Sequence, residues 1–266
     1  MSAYLIPGVE FNTAIKAVSD SVQSALVSIA FEYTANVNVD ASKFNSSIDV
    51  SKDKDNSVRA LLSKDSTRLI VHSEDDICIA DAHNMFYVLQ ALSSVAFNNF
   101  NLSTCTNVSR MFMNCSSLME VNLSSCTAGM IASADEMFSG CISCQSINIS
   151  RIALPKGTAA YNLFNQCYSL RRLSVGSNFA FTDAMALENP QPEYVPSTNG
   201  KWNNPYQGTS FSAGELAAAH KQACTYYAND VASTQHDSNI VTLKTLKCAA
   251  SQIASAVSDR LKVIDA

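Results

Sequence analysis

The chain has 266 residues, of which 47% are hydrophobic and 15% are charged. This composition provides ample material for a buried core and excludes a disordered chain. The net charge of −5 and the pI of about 5.3 argue against a nucleic-acid partner, and no stretch reaches the roughly 18 uninterrupted apolar residues of a membrane-spanning helix.

The N-terminal segment shows an apolar pattern with two interpretations. Spacings of four and three predict a helix with a heptad seam, which either docks on the rest of the chain or pairs with an identical chain. Alternation at Val27, Ile29, Phe31 and Tyr33 is instead typical of a strand, and it favours an earlier end of the helix. The seam consists of Phe11, Ile15, Val18, Val22, Ala25 and Ile29.

Residues 40–68 form a solvated segment of mixed charge, and two short apolar runs follow it. Residues 68–71 and 77–79 flank an acidic stretch that includes Glu74, Asp75 and Asp76, which predicts two strands around a turn. Leu69 and Val71 precede Val95 and Phe97 by 26 residues. They therefore predict a degenerate terminal copy of the repeat that occupies the next part of the chain.

One pattern recurs every 26 residues between Met85 and Val175. An apolar pair opens each copy, and the positions that follow keep the same register. A period of this length indicates units that bury their apolar faces by stacking on one another. The four pairs are Met85-Phe86, Met111-Phe112, Met137-Phe138 and Leu163-Phe164.

Within one copy, the spacing of three, one and three from Val108 to Cys115 fits a short helical turn. Alternation at Val121 and Leu123 predicts a short strand after it. Each repeat is therefore interpreted as a short helix followed by a short strand. Cys115, Cys141 and Cys167 fall at one repeat position and predict a column of small buried side chains. Nine cysteines, an odd number, favour reduced thiols over a disulfide framework.

The run from Asn101 to Ser124, which contains Met-Phe-Met-Asn-Cys-Ser-Ser-Leu, resembles the BspA-like leucine-rich repeat of bacterial surface proteins. The resemblance covers about 100 residues of the chain. It implies a repeat fold and a binding or adhesive role rather than catalysis. The fold class that we predict is α/β, a leucine-rich-repeat solenoid of about four 26-residue repeats flanked by N- and C-terminal helical segments.

The region after the repeats contains four of the six prolines and the only tryptophan, within residues 189–205. This loop resembles a segment that closes such arrays in bacterial and phage proteins. Ser212 and Glu215 form a capping box for a helix from Ala213 to about Ala232. A second heptad pattern follows, which predicts either pairing of the two terminal helices or assembly of identical chains. Its seam is Leu243, Leu246, Ala250, Ile253 and Val257.

These patterns divide the chain into four predicted parts. They are an N-terminal helix with a charged segment for assembly or attachment at 1–68, the repeat domain with its N-terminal cap at 69–187, a Pro-rich linker at 188–211, and a C-terminal helical segment at 212–266.

Little in the sequence indicates catalysis or metal binding. Cys141 and Cys144 have the spacing of a redox motif but not its strand and helix context, so packing is the favoured role. His72, His83, His220 and His236 show no metal-ligand spacing, although His72 and His83 could meet across the predicted hairpin. We interpret them as surface residues. A hydrated turn is favoured over Ca²⁺ binding at the acidic stretch. We therefore predict no enzyme activity, no metal and no cofactor.

The outward side chains of the predicted strands are the candidate binding surface. Trp202 and Tyr206 could anchor a saccharide or a protein, and Trp202 is equally suited to packing on the last repeat. The strand residues are Met119, Glu120, Asn122, Gln145, Ser146, Asn148, Arg171, Arg172 and Ser174.

The N-terminus lacks the basic start and apolar core of a secretory signal, which conflicts with the usual location of BspA-like surface proteins. We therefore expect a non-enzymatic structural and recognition protein of a phage virion, as a head or tail fibre or a capsid decoration. Its partners would be a protein or cell-surface glycan, or capsid or tail proteins, and it would form homo-oligomers through its terminal helices. The alternative is a cellular adhesin or intracellular protein-binding scaffold, at the surface or in the cytoplasm of a bacterium.

Overall fold

The computed structural model describes residues 2–18, 26–33, 43–205 and 207–229. Within these ranges the chain forms two short α-helices, a 3-10 helix at Asp183–Met185 and fourteen strands in three sheets. The helices are α1 (Gly8–Ala17) and α2 (Ala213–Ala219). The strands are β1 (Ser2–Tyr4), β2 (Ser28–Tyr33), β3 (Phe44–Asp49), β4 (Arg59–Ser63), β5 (Arg68–Ser73), β6 (Asp76–Cys78), β7 (Ser94–Phe97), β8 (Phe100–Asn101), β9 (Glu120–Asn122), β10 (Ser146–Ile149), β11 (Arg172–Val175), β12 (Thr198–Asn204), β13 (Thr209–Phe211) and β14 (Cys224–Asn229).

The sheets combine parallel and antiparallel pairs. A three-stranded parallel sheet has the order β1-β6-β8, and a five-stranded sheet has the order β3-β4-β5-β2-β7. A six-stranded sheet has the order β13-β12-β14-β11-β10-β9. In this last sheet β9, β10 and β11 are parallel, whereas β14 is antiparallel to both of its neighbours.

The 26-residue period of the sequence is also the register of the structure. Glu120 is opposite Ser146, which is opposite Arg172. On another side of the repeats, isolated parallel bridges join Asn107 to Ser133 and Ser133 to Ala159 at the same interval. The predicted stacking of 26-residue units is therefore confirmed at the level of backbone pairing.

Side chains at equivalent positions of the repeats form continuous buried columns. Phe86, Phe112, Phe138 and Phe164 are all fully buried, with centroid distances of 5.1, 5.7 and 6.0 Å between successive rings. Each buried phenylalanine contributes about 1.5–3 kcal/mol relative to an exposed one. Stacking of whole repeats is thus what buries the apolar face that a single repeat would leave in water.

The segments around the four apolar pairs, which we call the Met-Phe segments although the last pair is Leu163-Phe164, are not helices, contrary to the prediction. In the second copy, the N–H groups of Met111, Met113 and Cys115 each bond to the carbonyl three residues earlier, which is a series of tight turns. The intervening N–H groups of Arg110, Phe112 and Asn114 instead bond to the next repeat, at distances of 2.8–2.9 Å. One backbone segment therefore alternates between bonds within its repeat and bonds across repeats.

Two left-handed residues in each repeat produce this alternation. A residue with φ near +60° cannot continue a right-handed helix. Each turn therefore ends before a helix can form. Val88 is the most strained of them, because a β-branched residue rarely adopts this conformation. One column consists of Asn84, Arg110, Glu136 and Asn162, with φ from 54° to 57°, and the other of Val88, Asn114, Gly140 and Gln166, with φ from 60° to 76°.

The predicted α/β fold class, a leucine-rich-repeat solenoid flanked by helical segments, is wrong. The regular secondary structure of the described residues is mostly β-strand, none of the three sheets closes on itself, and the two helices have only 10 and 7 residues. The helix that begins near Phe11 ends at Ala17, and Ile29 lies in β2, where the period-two alternation prevails. The helix predicted to reach Ala232 ends at Ala219, and β14 follows it.

Parts of the predicted seams lie outside the described residues, namely Val22, Ala25 and the C-terminal set from Leu243 to Val257. Residues 198–204 and 209–211, predicted as part of a linker, form β12 and β13. They pair with each other, and β12 also pairs with β14. The C-terminal part of the described chain thereby extends the sheet of the repeats.

The N-terminal elements are integral to the core. Phe11 of α1 is fully buried, with its ring 6.3 Å from those of Phe31 and Phe86. Phe11, which belongs to the predicted heptad seam, therefore packs in the core of its own chain. β2 lies between β5 and β7, so the predicted terminal copy at Leu69 and Val71 is separated from β7 by one strand. β5 and β6 do form, but they belong to different sheets and make no hairpin.

α1 completes the hydrogen bonding of the first repeat. Between repeats, the carbonyls of Met111 and Met113 accept N–H groups from the preceding copy. The equivalent carbonyls of the first copy belong to Met85 and Tyr87. Asn12 donates its side-chain N–H groups to both of them, at 3.3 Å each, and the Lys16 ammonium donates to Tyr87 at 3.1 Å. Side chains of α1 thus replace the backbone donors of an absent neighbour.

The opposite end has a different set of partners. The N–H groups of Asn162 and Phe164 donate to carbonyls of the 3-10 helix, at Ala184 and Met185. His220, just after α2, is buried and bonds through Nε2 to the carbonyl of Gly176 and through Nδ1 to the Tyr226 hydroxyl, both at 2.9 Å. A carbonyl only accepts, so Nε2 carries the proton and the hydroxyl donates to Nδ1.

We predict that Asn12→Asp destabilises the protein more than Asn12→Ala does. The alanine loses two hydrogen bonds, at a cost of about 1–2 kcal/mol, whereas the aspartate directs a buried carboxylate at two carbonyls and costs about 3 kcal/mol or more. Urea unfolding at pH 7 measures both. Thr13→Ala and Thr13→Asp, at the exposed neighbouring position, are the controls. Equal unfolding free energies for the two Asn12 variants would contradict the capping role.

Candidate binding surface

The structure brings most of the predicted strand residues together on one surface. We call this surface the outward strand face; it consists of Glu120 and Asn122 in β9, Ser146 and Asn148 in β10, and Arg172 and Ser174 in β11. Their in-between neighbours Val121, Ile147 and Leu173 are buried in the core. Because side chains alternate along a strand, these six residues share the side away from the core and form two columns across the three strands.

The first column places opposite charges at a fixed separation. Glu120 and Arg172 are exposed, and the partly buried Ser146 lies between them in register. Two strand spacings separate the charged residues, or about 10 Å. The Arg172 guanidinium lies 6.0 Å from the centre of the Tyr227 ring in β14, a cation–π contact that restrains it. The column therefore presents an acid, a hydroxyl and a base in one line.

The second column is largely committed to internal hydrogen bonds. The side-chain oxygens of Asn122 and Asn148 accept the N–H groups of Ser124 and Ser150, at 3.1 and 3.2 Å. These are the Asx turns with which the strands end. Ser174 is buried, and its hydroxyl lies 2.8 Å from that of Thr225. Strand β14 therefore covers one position that the sequence placed at the surface.

The three residues that precede the strands form a backbone ladder. The N–H of Gln145 bonds to Met119, that of Arg171 to Gln145, and that of Ala228 to Arg171, at 2.8–2.9 Å. The side chains of Gln145 and Arg171 are partly buried, whereas that of Met119 is 45% exposed. Met119 thus adds apolar surface directly beside Glu120.

The two predicted aromatic anchors are not part of the outward strand face as described. Trp202 is only 1% exposed, and its indole N–H donates to the carbonyl of Glu188 at 3.0 Å. Of its two predicted roles, this burial favours packing against the last repeat. Tyr206 lies outside the described residues.

The cysteine column makes a hydrogen bond that the sequence analysis missed. The thiols of Cys115, Cys141 and Cys167 donate to the carbonyls of the phenylalanines 29 residues earlier, at 3.0, 3.2 and 3.3 Å. The same carbonyls also accept an N–H from their own repeat. Cysteine therefore fills a small site and satisfies a second lone pair, a role that alanine or valine could not perform. The recurrence of phenylalanine and cysteine at fixed positions of the repeats is the sequence pattern that could have indicated this hydrogen bond.

Burial raises the pKa of several thiols in the repeats. The pKa of Cys115 and of Cys144 rises to about 12, and that of Cys126 to about 11. The pKa of Cys141 is also well above its ordinary value, first through burial and then through the neighbouring Cys167. Because the thiolate is the reactive form, the buried Cys141 and Cys144 pair is suited to packing.

The histidines differ from their predicted surface positions. His72 and His220 are buried, and His83 is partly buried with Nδ1 3.0 Å from the carbonyl of Ser109. His236 lies outside the described residues. In the described ranges, no three histidine, cysteine or acidic side chains are placed to hold a metal ion.

We predict that the protein loses stability steeply above pH 9. Unfolded thiols ionise near pH 8.5, whereas Cys115 in the folded state stays protonated to about pH 12. Between these values the unfolded state binds fewer protons, so each such thiol lowers the unfolding free energy by about 1.4 kcal/mol per pH unit. Cys115→Ser should reduce that slope by one thiol's share, as measured by urea unfolding from pH 9 to 11. From pH 7 to 8, the unfolding free energy of this variant should change with pH as that of the unmodified protein does. If the two proteins also show the same pH dependence above pH 9, the raised pKa of Cys115 is refuted.

Comparison with known proteins locates the similarity in the repeats. None of the helices in the described ranges has the length and apolar character needed to cross a membrane. No curated protein and no solved structure matches the chain. Residues 71–186 match the family model described as "Mycoplasma protein of unknown function, DUF285". This segment, which contains the repeats, is therefore similar to a BspA-like family of Mycoplasma repeat proteins.

Proposed function

We propose that this protein is a non-enzymatic recognition protein that binds a protein or a cell-surface glycan through the outward strand face. The observation that carries the proposal is the in-register line of Glu120, Ser146 and Arg172. The buried cysteines of the repeats, the two asparagines of the second column and Ser174 take part in internal hydrogen bonds. The first column, together with the exposed Met119 that precedes Glu120 in the chain, is the surface that a partner can contact.

The geometry of the first column specifies what the partner must present. Arg172 offers a planar fork of donors that suits a carboxylate or a phosphate. Glu120 accepts hydrogen bonds from hydroxyl groups or from a cation. A partner with an acidic group and a donor about 10 Å apart would meet both ends of the column, and apolar atoms next to the donor would contact Met119. Such complementarity gives orientation as well as affinity.

A double charge reversal tests the surface. Glu120→Arg combined with Arg172→Glu inverts the order of the two charges and leaves the net charge unchanged. We expect affinity to fall at least about tenfold for the partners that the unmodified protein retains from a glycan array or from host-surface extracts. The control is Glu10→Lys with Lys64→Glu, which reverses two exposed charges in the N-terminal part. If both double variants bind as the unmodified protein does, the outward strand face is not the binding surface.

The setting that we propose is a phage virion, with the protein as a head or tail fibre or a capsid decoration. The sequence of residues 189–205 resembles a segment that closes such arrays in bacterial and phage proteins, which is compatible with this setting and with its alternative. In this setting the partners include capsid or tail proteins, and identical chains assemble through the heptad pattern between Leu243 and Val257. The alternative is a cellular adhesin or an intracellular protein-binding scaffold, and the Mycoplasma origin named in the matching family favours it.

The native mass of the full chain separates the two settings. For a fibre or decoration protein we expect an oligomer, which Leu246→Asp with Ile253→Asp converts to a monomer because both changes bury a charge in the seam. Lys244→Asp and Gln252→Asp, outside the seam, should leave the oligomer intact. Light scattering on the three proteins measures this. A monomer for the unmodified full chain would favour the cellular scaffold.

A further inference from the structure

A cleft of about 320 Å³ lies away from the outward strand face, between the β3–β4 and β5–β6 connections. Its volume is at the lower end of the range of about 300–1,000 Å³ that is typical of small-molecule sites. The residues that line it all have polar side chains: Asp55, Asn56, Ser57, His72, Ser73, Glu74 and Asp75.

His72 is the residue that distinguishes this cleft from an ordinary hydrated turn. It is only 2% exposed, and both of its ring nitrogens are buried without a hydrogen-bond partner. Arg59 lies opposite it on β4, and its Nε is likewise buried and unpartnered, although another of its nitrogens donates to Ser47 at 2.6 Å. Of these groups, the two His72 nitrogens belong to a residue that lines the cleft, so they are the ones that a molecule bound there can reach.

The environment of the His72 ring favours its neutral form. Burial is the main effect that lowers its pKa, and the Arg59 charge lowers it further, with Glu32 acting in the opposite direction. A neutral imidazole has one N–H donor and one acceptor nitrogen. At His72 the buried side of the cleft therefore has one donor and one acceptor that need partners.

The acidic side chains provide acceptors. Glu74 and Asp55 are exposed, and Asp75 is partly buried. One oxygen of Asp55 accepts the N–H of Ser57 at 3.0 Å, which fixes the position of that carboxylate. An ionised carboxylate can only accept hydrogen bonds. The ligand must therefore donate at the acidic side and both accept and donate at the buried side.

This requirement excludes simple ions. Three carboxylates repel an anion, and a cation would leave the N–H group of His72 without an acceptor. The side chains of the described residues include no set placed to hold a metal ion. A hydroxyl group both donates and accepts, so several hydroxyl groups on one ring can meet every requirement at once.

We propose that this cleft binds the neutral, polyhydroxylated ring of a sugar, whose hydroxyls donate to Glu74 and Asp55 and bond to the ring nitrogens of His72. This site goes beyond the proposed function, because it uses other elements than the outward strand face. A free sugar and the terminal residue of a glycan share this chemistry.

The experiment titrates the full chain, labelled with ¹⁵N-histidine, with the neutral hexoses glucose, galactose and mannose. We expect at least one hexose to shift the ring-nitrogen resonances of His72 and not those of His83. Glu74→Gln should weaken this hexose about tenfold, the usual effect of losing a hydrogen bond to a charged group, and His72→Phe should abolish its binding. Glu10→Gln, at an exposed glutamate of α1, should leave the affinity unchanged.

Three results would overturn the proposal. In the first, putrescine but no hexose shifts the His72 resonances, which would make the cleft a site for organic cations. In the second, neither probe shifts these resonances, which would leave only water in the cleft. In the third, the Glu74→Gln variant binds the hexose as tightly as the unmodified protein does. Glu74 is exposed, so this variant tests the site even if His72→Phe fails to fold.

Two further measurements separate the sources of the sugar and the two proposals. A glycan array identifies the glycan as the source if chains ending in the same hexose bind more tightly than the hexose itself. The Glu120→Arg and Arg172→Glu double variant should retain hexose binding. Sugar binding in the cleft can therefore be established even if the outward strand face proves not to bind a partner.

Discussion

The hydrogen bonding of the turn segments is the constraint on which the rest of the structure depends. Every second N–H of a Met-Phe segment bonds within its own repeat, and the others bond to the next repeat. This pattern requires a neighbour on each side, so single repeats cannot satisfy their buried backbone groups. The phenylalanine stack, the thiol contacts and the parallel strands all follow from the register that these bonds impose.

Sequence periodicity predicted that register and the buried columns, because each repeat must place like residues at like positions. It did not predict the turns, since the three-one-three spacing of Val108, Met111, Phe112 and Cys115 suits a helix and a double turn equally well. The left-handed positions that decide between them hold several residue types, among them Arg110, Val88 and Gly140. Asn or Gly, which favour this conformation, occupies four of the eight positions, so composition marks them only in part.

The surface shows the same division between local and long-range information. Alternation along short strands predicted the exposure of Glu120 and Arg172. Ser174 is buried beside β14, where it meets Thr225 from 51 positions later in the chain, and Trp202 lies in β12, which pairs with β14 and not with the repeats. The insertion of β2 between β5 and β7 is equally non-local. The buried and unpartnered ring of His72 likewise results from the meeting of separate strands, which alternation alone does not reveal.

The hydrogen bonds that close the two ends of the array go to the first and the last copies. Asn12 and Lys16 bond to the first copy, and Ala184 and Met185 bond to the last. Gene duplication that inserted complete 26-residue units between them would preserve these bonds, whereas an insertion whose length is not a multiple of 26 would shift the columns beyond it out of register. Copy number is therefore the dimension along which related proteins can diverge, and the area of the outward strand face would grow or shrink in proportion.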